Sequence, residues 1–189
     1  MMDIYLDRQG DLTNRIVHHP QVREWVMVEN VDLDFRELAK DQRIFPIVGD
    51  PPIGAIVFGR VVTGVYEAHA AVLPQGRGEW MADLSEAAIR YMFTATDCIE
   101  ILTRVMQGHI AALALAKKLE FVEHWRCPAF RFKGKDVPFS VWGLSMMDWF
   151  PSNDEERVAV LQEMWHAGQQ EKAQVWHARW AQLSRNVVE

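Results

Sequence analysis

The chain has 189 residues, of which 49% are hydrophobic and 24% charged, and its formal net charge is -6. A soluble chain of this length buries roughly 70% of the surface that it exposes when unfolded, so one domain folds without disulfides or metals. The acidic balance argues against a general nucleic-acid-binding surface, no apolar run approaches the roughly 18 residues of a membrane span, and the acidic start lacks the features of a signal peptide, so we expect a cytoplasmic protein.

The first half of the chain predicts a short helical region followed by an antiparallel sheet. Residues 11–30 place apolar side chains loosely at helical spacing around Pro20, which indicates a short helix or two broken turns. Between residues 43 and 73, three β-branched or aromatic runs are separated by Gly and Pro, which predicts three consecutive antiparallel strands. Residues 78–95 then repeat apolar side chains at helical spacing.

The second half predicts further strands and helices and a helical tail. Its elements are, in chain order, a strand at 98–106, a helix at 109–120, strands at 121–132 and 137–150, and beyond Pro151 a helix weakened at Gly168. This order predicts an α+β fold with a mixed, mostly antiparallel central sheet flanked by helices. We expect a domain over residues 1–150 and a C-terminal helical extension over 151–189.

The segment from Leu73 to Trp80 joins a predicted strand directly to a predicted helix. Gly76 and Gly78 let the backbone approach a ligand closely, and the first N–H groups of a helix have no partners within it. These groups and the helix dipole favour a phosphate or pyrophosphate, to which Gln75 and Arg77 add a donor and a positive charge. A tight turn that binds nothing explains the same glycines.

Charge is unevenly distributed along the chain. Residues 100–135 contain seven basic and three acidic side chains, so this span is +4 within a chain of -6. A polyanionic cofactor beside it would meet a favourable potential. A solvated basic surface is the alternative interpretation.

Several motifs between residues 18 and 121 occur in the order found in one known family. Gln75 to Gly78 match the first four positions of (Gln/Arg)-x-x-Gly-x-(Gly/Ala), and a second motif, Gly-Asn-x-x-Ala…Leu-Gly-Phe, is matched by Gly108, Ala112, Leu119 and Phe121. The chain therefore resembles the GCN5-related N-acetyltransferase (GNAT) superfamily, most closely the acetyltransferase-like proteins of tailed phages and prophages.

The resemblance implies a GNAT-like sheet with acetyl-CoA between strands 64–73 and 98–106. The residues that it places at the cofactor are Val72, Leu73, Gln75, Gly76, Arg77, Gly78, Glu79, Trp80, His109 and Ala112. It implies acetyl transfer to a primary amine by direct attack on the thioester. The alternative is a catalytically silent phage or prophage structural or interaction protein, which would be virion-associated.

Four positions depart from the family pattern. Trp80 replaces Gly or Ala and puts a bulky side chain close to the expected phosphate, and His109 replaces Asn. Ala116 stands where many relatives have the Tyr that protonates the CoA thiolate, and Glu120 replaces Gly. These departures favour the silent alternative.

Two side chains on strand 64–73 are candidates for the general base. An amine with a pKa near 10 must lose a proton before it attacks the thioester. Glu67 and His69 lie two residues apart, hence on one face of the strand, and we rank Glu67 first. A solvated Glu67 and a structural His69 explain the pattern equally well. The backbone N–H near Val72 or Leu73 is the expected oxyanion donor.

Five of the eight tryptophans follow residue 140. In the tail, Val158, Leu161, Trp165 and Gly168 share one helical stripe, and Trp176, Trp180 and Leu183 share another. A helix docked on its own domain explains these stripes. The alternative is an aromatic surface for a homodimer or another partner.

Other chemistry has little support. The pairs His18–His19 and His124–Cys127 lack a full set of metal ligands, and Cys98 is expected to begin a buried strand. We therefore predict no metal, an amine-bearing small molecule or protein as acceptor, and neither nucleic acid nor membrane as partner.

Overall fold

A computed structural model describes residues 2–26, 33–132 and 134–186. Within them a seven-stranded sheet has the order β1-β2-β3-β4-β5-β7-β6. The strands are β1 (Ile4–Leu6), β2 (Ile44–Gly49), β3 (Gly54–Val62), β4 (Val65–Val72), β5 (Glu100–Met106), β6 (Val122–Phe132) and β7 (Lys135–Ser145). Neighbouring strands are antiparallel except for β4 and β5, which are parallel. The predicted mixed α+β fold is confirmed.

Helices lie on both faces of this sheet. They are α1 (Asp11–Val17), α2 (Pro20–Val26), α3 (Phe35–Leu38), α4 (Glu79–Ala95), α5 (Ile110–Lys118), α6 (Met146–Trp149), α7 (Asp154–His166) and α8 (Gln170–Asn186). On one face, Ile16 and Val22 of α1 and α2 pack against Ala71 of β4. On the other face, α4 contributes Leu84 and Met92 to the main core. Among the described residues, no helix has both the length and the apolar character needed to cross a membrane.

Most predicted elements are present, with small differences in their bounds. The short elements β1 and α3 were not predicted. The strand expected over 137–150 ends at Ser145, because Ser145 Oγ accepts a hydrogen bond from the Asp148 N–H at 3.1 Å and caps α6. Residues 27–30 of the first predicted helical region, and Lys133 between the predicted strands 121–132 and 137–150, lie outside the described residues.

The C-terminal extension consists of two helices that dock on α4. Gly168, at φ 81°, separates α7 from α8. Val160, Met164 and Ala173 are buried in the same core as α4. The stripe expected for α7 is wrong at Val158 and Trp165, which are exposed, and correct at Leu161, which packs against the core that buries Val160 and Met164.

Polar contacts also hold the extension to α4. Arg90 donates to the Glu163 carboxylate through Nε at 2.8 Å and Nη2 at 2.7 Å. The Lys172 ammonium donates to the carbonyls of Phe93 at 2.7 Å and Thr96 at 3.0 Å, and also to that of Cys98. A cation at the C-terminal end of a helix satisfies carbonyls that have no partner within the helix. The contacts agree with the docked interpretation of the tail.

Candidate active site

Strands β4 and β5 stop pairing beyond Glu67 and Leu102, and we call the gap between their unpaired ends the groove. Their paired residues are Val65 with Glu100, Tyr66 with Ile101 and Glu67 with Leu102. Just beyond them, Thr103 Oγ1 donates to the Ala68 carbonyl at 3.1 Å. The two strands continue to Val72 and Met106 without further pairing between them. The groove lies between the strands that the sequence analysis selected for the cofactor.

The pairing of β4 with β3 sets the directions of its amides. The Leu73 N–H donates to the Ile53 carbonyl at 2.8 Å. In an antiparallel pair, successive residues direct their N–H groups to opposite sides. Val72 therefore directs its N–H away from β3 and toward the groove. Of the two expected oxyanion donors, Leu73 is occupied by β3 and Val72 is open to a ligand.

The turn after β4 leaves the N-terminus of α4 open. Pro74–Gly76 form one turn of 3-10 helix, and Gly78 precedes α4 with φ 88° and ψ -130°, a conformation that suits glycine. A Cβ on Gly78 would have no atom within 4 Å. No side chain caps this end of α4, so its first amides are available to an anion. The side chains of Gln75, Arg77 and Glu79 are exposed around it.

Trp80 does not crowd this helix end, contrary to the expectation from sequence. Its indole ring lies against three glycines: a Cβ added at Gly49, Gly54 or Gly76 would come within 2.9, 2.5 or 3.0 Å of a ring atom. The ring thus occupies space that these glycines leave at the ends of β2 and β3 and in the turn. The indole N–H is buried and has no acceptor among the described residues.

Two other departures have local structural explanations. His109 caps α5, because its Nδ1 accepts a hydrogen bond from the Ala112 N–H at 3.1 Å, as an Asn side chain can. Glu120 has φ 63°, in the left-handed region that glycine adopts at little cost. Ala116 is buried in the core and offers no hydroxyl group.

Glu67, His69 and Arg104 form a polar cluster beside the groove. Glu67 and His69 lie on the face of β4 that also carries Ala71, which is buried under α1 and α2. Arg104 Nη2 donates to Glu67 Oε2 at 2.6 Å, and His69 Nε2 lies 3.5 Å from Glu67 Oε1. The Glu67 side chain is only 13% exposed, compared with 57% for His69 and 49% for Arg104. The carboxylate therefore lies beneath the imidazole and the guanidinium.

The surroundings of this cluster lower the pKa of His69 and so favour its neutral form. Loss of hydration around the ring is the main cause that lowers the pKa of His69, and the Arg104 charge acts in the same direction. The Glu67 charge opposes both. At neutral pH the exposed imidazole is thus able to accept a proton. Glu67 Oε1 is buried without a hydrogen-bond partner among the described residues, so a small approach of His69 would satisfy it.

The sequence analysis did not single out Arg104. It counted Arg104 only within the basic span of residues 100–135, where the structure also pairs Arg126 with Glu123 and Arg131 with Asp136. Because these basic side chains are paired with acidic ones, the span does not form one continuous basic surface. The register of β4 and β5, with Glu67 opposite Leu102, places Arg104 on the face of Glu67, and the sequence alone does not show this register. Within the described part of the chain, no three metal-capable side chains cluster.

Solved acetyltransferase structures have the same fold. Spermidine N-acetyltransferase from Vibrio cholerae, solved in complex with CoA and spermine, gives a TM-score of 0.65 at 17% identity, over 79% of this chain and 98% of that chain. Ribosomal-protein-S5-alanine acetyltransferase from Vibrio fischeri gives 0.64 at 14% identity, over 79% and 96%. No protein-family model and no curated protein matches the chain. The structural likeness shows a GNAT fold.

Proposed function

We propose that the protein transfers the acetyl group of acetyl-CoA to a primary amine. One observation carries the proposal: the groove between β4 and β5 lies between the uncapped N-terminus of α4 and the cluster of Glu67 and His69. A protein with the same fold was solved with CoA and an amine, spermine. The groove of this chain offers what both ligands need, namely free amides for an anion and a proton acceptor for an amine.

The residues of the groove fit CoA. The amides of Gly78, Glu79 and Trp80 would hold the pyrophosphate, with the side chains of Gln75 and Arg77 beside them. His109 and Ala112 would border the cofactor from the first turn of α5. Acetyl-CoA supplies an acetyl group activated as a thioester. The Val72 N–H would donate to the acetyl oxygen and stabilise the negative charge that develops there.

We assign the general base to His69 and a positioning role to Glu67, the reverse of the ranking from sequence. His69 is exposed and its lowered pKa favours the neutral imidazole, whereas the Glu67 carboxylate is buried and bonded to Arg104. His69 accepts a proton from the ammonium group of the acceptor, and the neutral nitrogen then bonds to the acetyl carbon as the carbon–sulfur bond breaks. The second proton of the nitrogen passes to water. Because Ala116 provides no hydroxyl, the departing thiolate takes its proton from His69 or from water.

Release of free CoA thiol in the presence of a panel of primary amines tests this proposal. We expect His69→Gln to lower kcat/KM by about 100-fold, the usual contribution of a general base, with little change in the KM for acetyl-CoA. Glu67→Gln should lower kcat/KM by a smaller factor than His69→Gln. His177→Gln, on the exposed surface of α8, is the matched control and should have no effect.

The outcomes separate the parts of the proposal. If none of the amines in the panel causes the wild-type protein to release CoA, the proposed transfer is wrong. If His69→Gln retains full turnover, His69 is not the base, and a severe loss in Glu67→Gln alone would return that role to Glu67.

A further inference from the structure

We infer that the acceptor is a small amino carboxylate, such as an α- or β-amino acid, and that Arg104 binds its carboxylate. The inference rests on the proposed function and narrows its acceptor. It makes Arg104 a specificity-determining residue, and it separates this protein from an enzyme that acetylates a polycation.

The first argument is the depth of the charges. A molecule that approaches His69 from solvent meets the Arg104 guanidinium, 49% exposed, before the Glu67 carboxylate, 13% exposed. The cluster therefore presents a cation to its ligand although Glu67 balances the charge beneath it. Arg104 uses Nη2 to bond Glu67, and a guanidinium carries five N–H donors, so others remain for an incoming anion.

The second argument is distance. His69 and Arg104 contact the two oxygens of the same carboxylate, at 3.5 and 2.6 Å. One carboxylate group therefore bridges them, so a small molecule that carries both an amine and a carboxylate can reach His69 and Arg104 together. An α- or β-amino acid is such a molecule.

The third argument is preorganisation. Glu67 fixes one edge of the guanidinium, and the Arg104 Cζ lies 6.0 Å from the centroid of the Phe139 ring. A guanidinium held in this way loses little entropy when it forms hydrogen bonds to a carboxylate. Phe139 also places an aromatic surface beside it, where an apolar side chain of the amino acid would pack.

Polyamines fit the same surface poorly. A second ammonium group would lie beside Arg104 and be repelled by it. The next acidic side chain on this face of β5, Glu100, lies 3.3 Å from His124 Nε2 and is itself partly buried.

The test compares acceptors that have a carboxylate with otherwise identical carboxamides, in the wild-type protein and in variants of Arg104. The acceptors are glycine, L-phenylalanine, the carboxamides of both, and spermidine. For each acceptor, kcat/KM for CoA release is measured and calculated from the concentration of unprotonated amine. The proteins are wild type, Arg104→Gln, Arg104→Lys and the control Arg126→Gln, whose guanidinium pairs with Glu123 on the other face. The ratio of acid to amide within each protein cancels any effect of the variant on Glu67 and His69.

We expect wild type and Arg126→Gln to prefer the acid by about 10- to 100-fold, the range for one charged hydrogen-bonded pair. In Arg104→Gln the ratio should fall to about one, and Arg104→Lys should retain part of it. An unchanged ratio in Arg104→Gln, or a preference for spermidine, overturns the inference while leaving acetyl transfer intact. Where a variant turns over too slowly, the same ratio is taken from Kd values in NMR titrations of the CoA-loaded protein.

Discussion

The packing of Trp80 gives a sharp test of the structure around the proposed phosphate site. In Gly54→Ala the new Cβ would lie 2.5 Å from Cζ3 and 3.0 Å from Cη2 of the Trp80 ring, and 3.3 Å from Val72 Cγ2. Atoms this close must move, and overpacking of this kind costs about 1–3 kcal/mol. We expect the free energy of unfolding to fall by about 2 kcal/mol and Tm to fall by about 6 °C.

Gly59→Ala is the matched control in the same strand, because a Cβ there has no atom within 4 Å. Urea unfolding of this variant should stay within about 0.5 kcal/mol of wild type. In the Trp80→Leu background, Gly54→Ala should cost at least about 1 kcal/mol less than it does alone, because the clashing ring is gone. Equal losses for Gly54→Ala and Gly59→Ala would refute the packing of the indole against Gly54.

Two further predictions concern stability. Glu120→Gly should raise the free energy of unfolding by about 1 kcal/mol, since φ 63° strains a residue with a Cβ; a loss of stability in urea unfolding would contradict this. Burial lowers the pKa of Lys172 to about 8 from 10.5, so between these values the unfolded chain binds more protons and folding stability rises with pH. Relative to Lys172→Met, wild type should therefore gain about 1.5 kcal/mol between pH 8 and pH 9.5, whereas a difference between the two proteins that does not change across that range would contradict the shift.

The sequence predicted the regular elements because their periodicity is local. The strands around residues 43–73 and the helix at 79–95 repeat apolar side chains over many residues. By contrast, β1 and α3 have three and four residues, which is too few to show a period. The stripe of the tail was wrong within α7, where Val160 and Met164 pack and Val158 and Trp165 are exposed, whereas Trp176 and Trp180 of the second stripe do pack against the core.

The candidate site could be predicted only where one strand supplies it. Glu67 and His69 share a face because they are two residues apart. Arg104 joins them from β5, 37 residues later in the chain, and its contact depends on the register of two parallel strands. The inward packing of Trp80 depends on glycines from three separate segments, which no local pattern reveals.

Thermal unfolding with and without acetyl-CoA most directly tests whether the groove between β4 and β5 holds this cofactor. A ligand that binds only the folded state at about 100 times its Kd adds about 2.7 kcal/mol to the free energy of unfolding. We therefore expect acetyl-CoA to raise Tm by several degrees. The shift should be smaller in Gly78→Val, once corrected for the lower stability of that variant. No shift in wild-type protein at about 1 mM acetyl-CoA would contradict the cofactor assignment and leave the fold alone established.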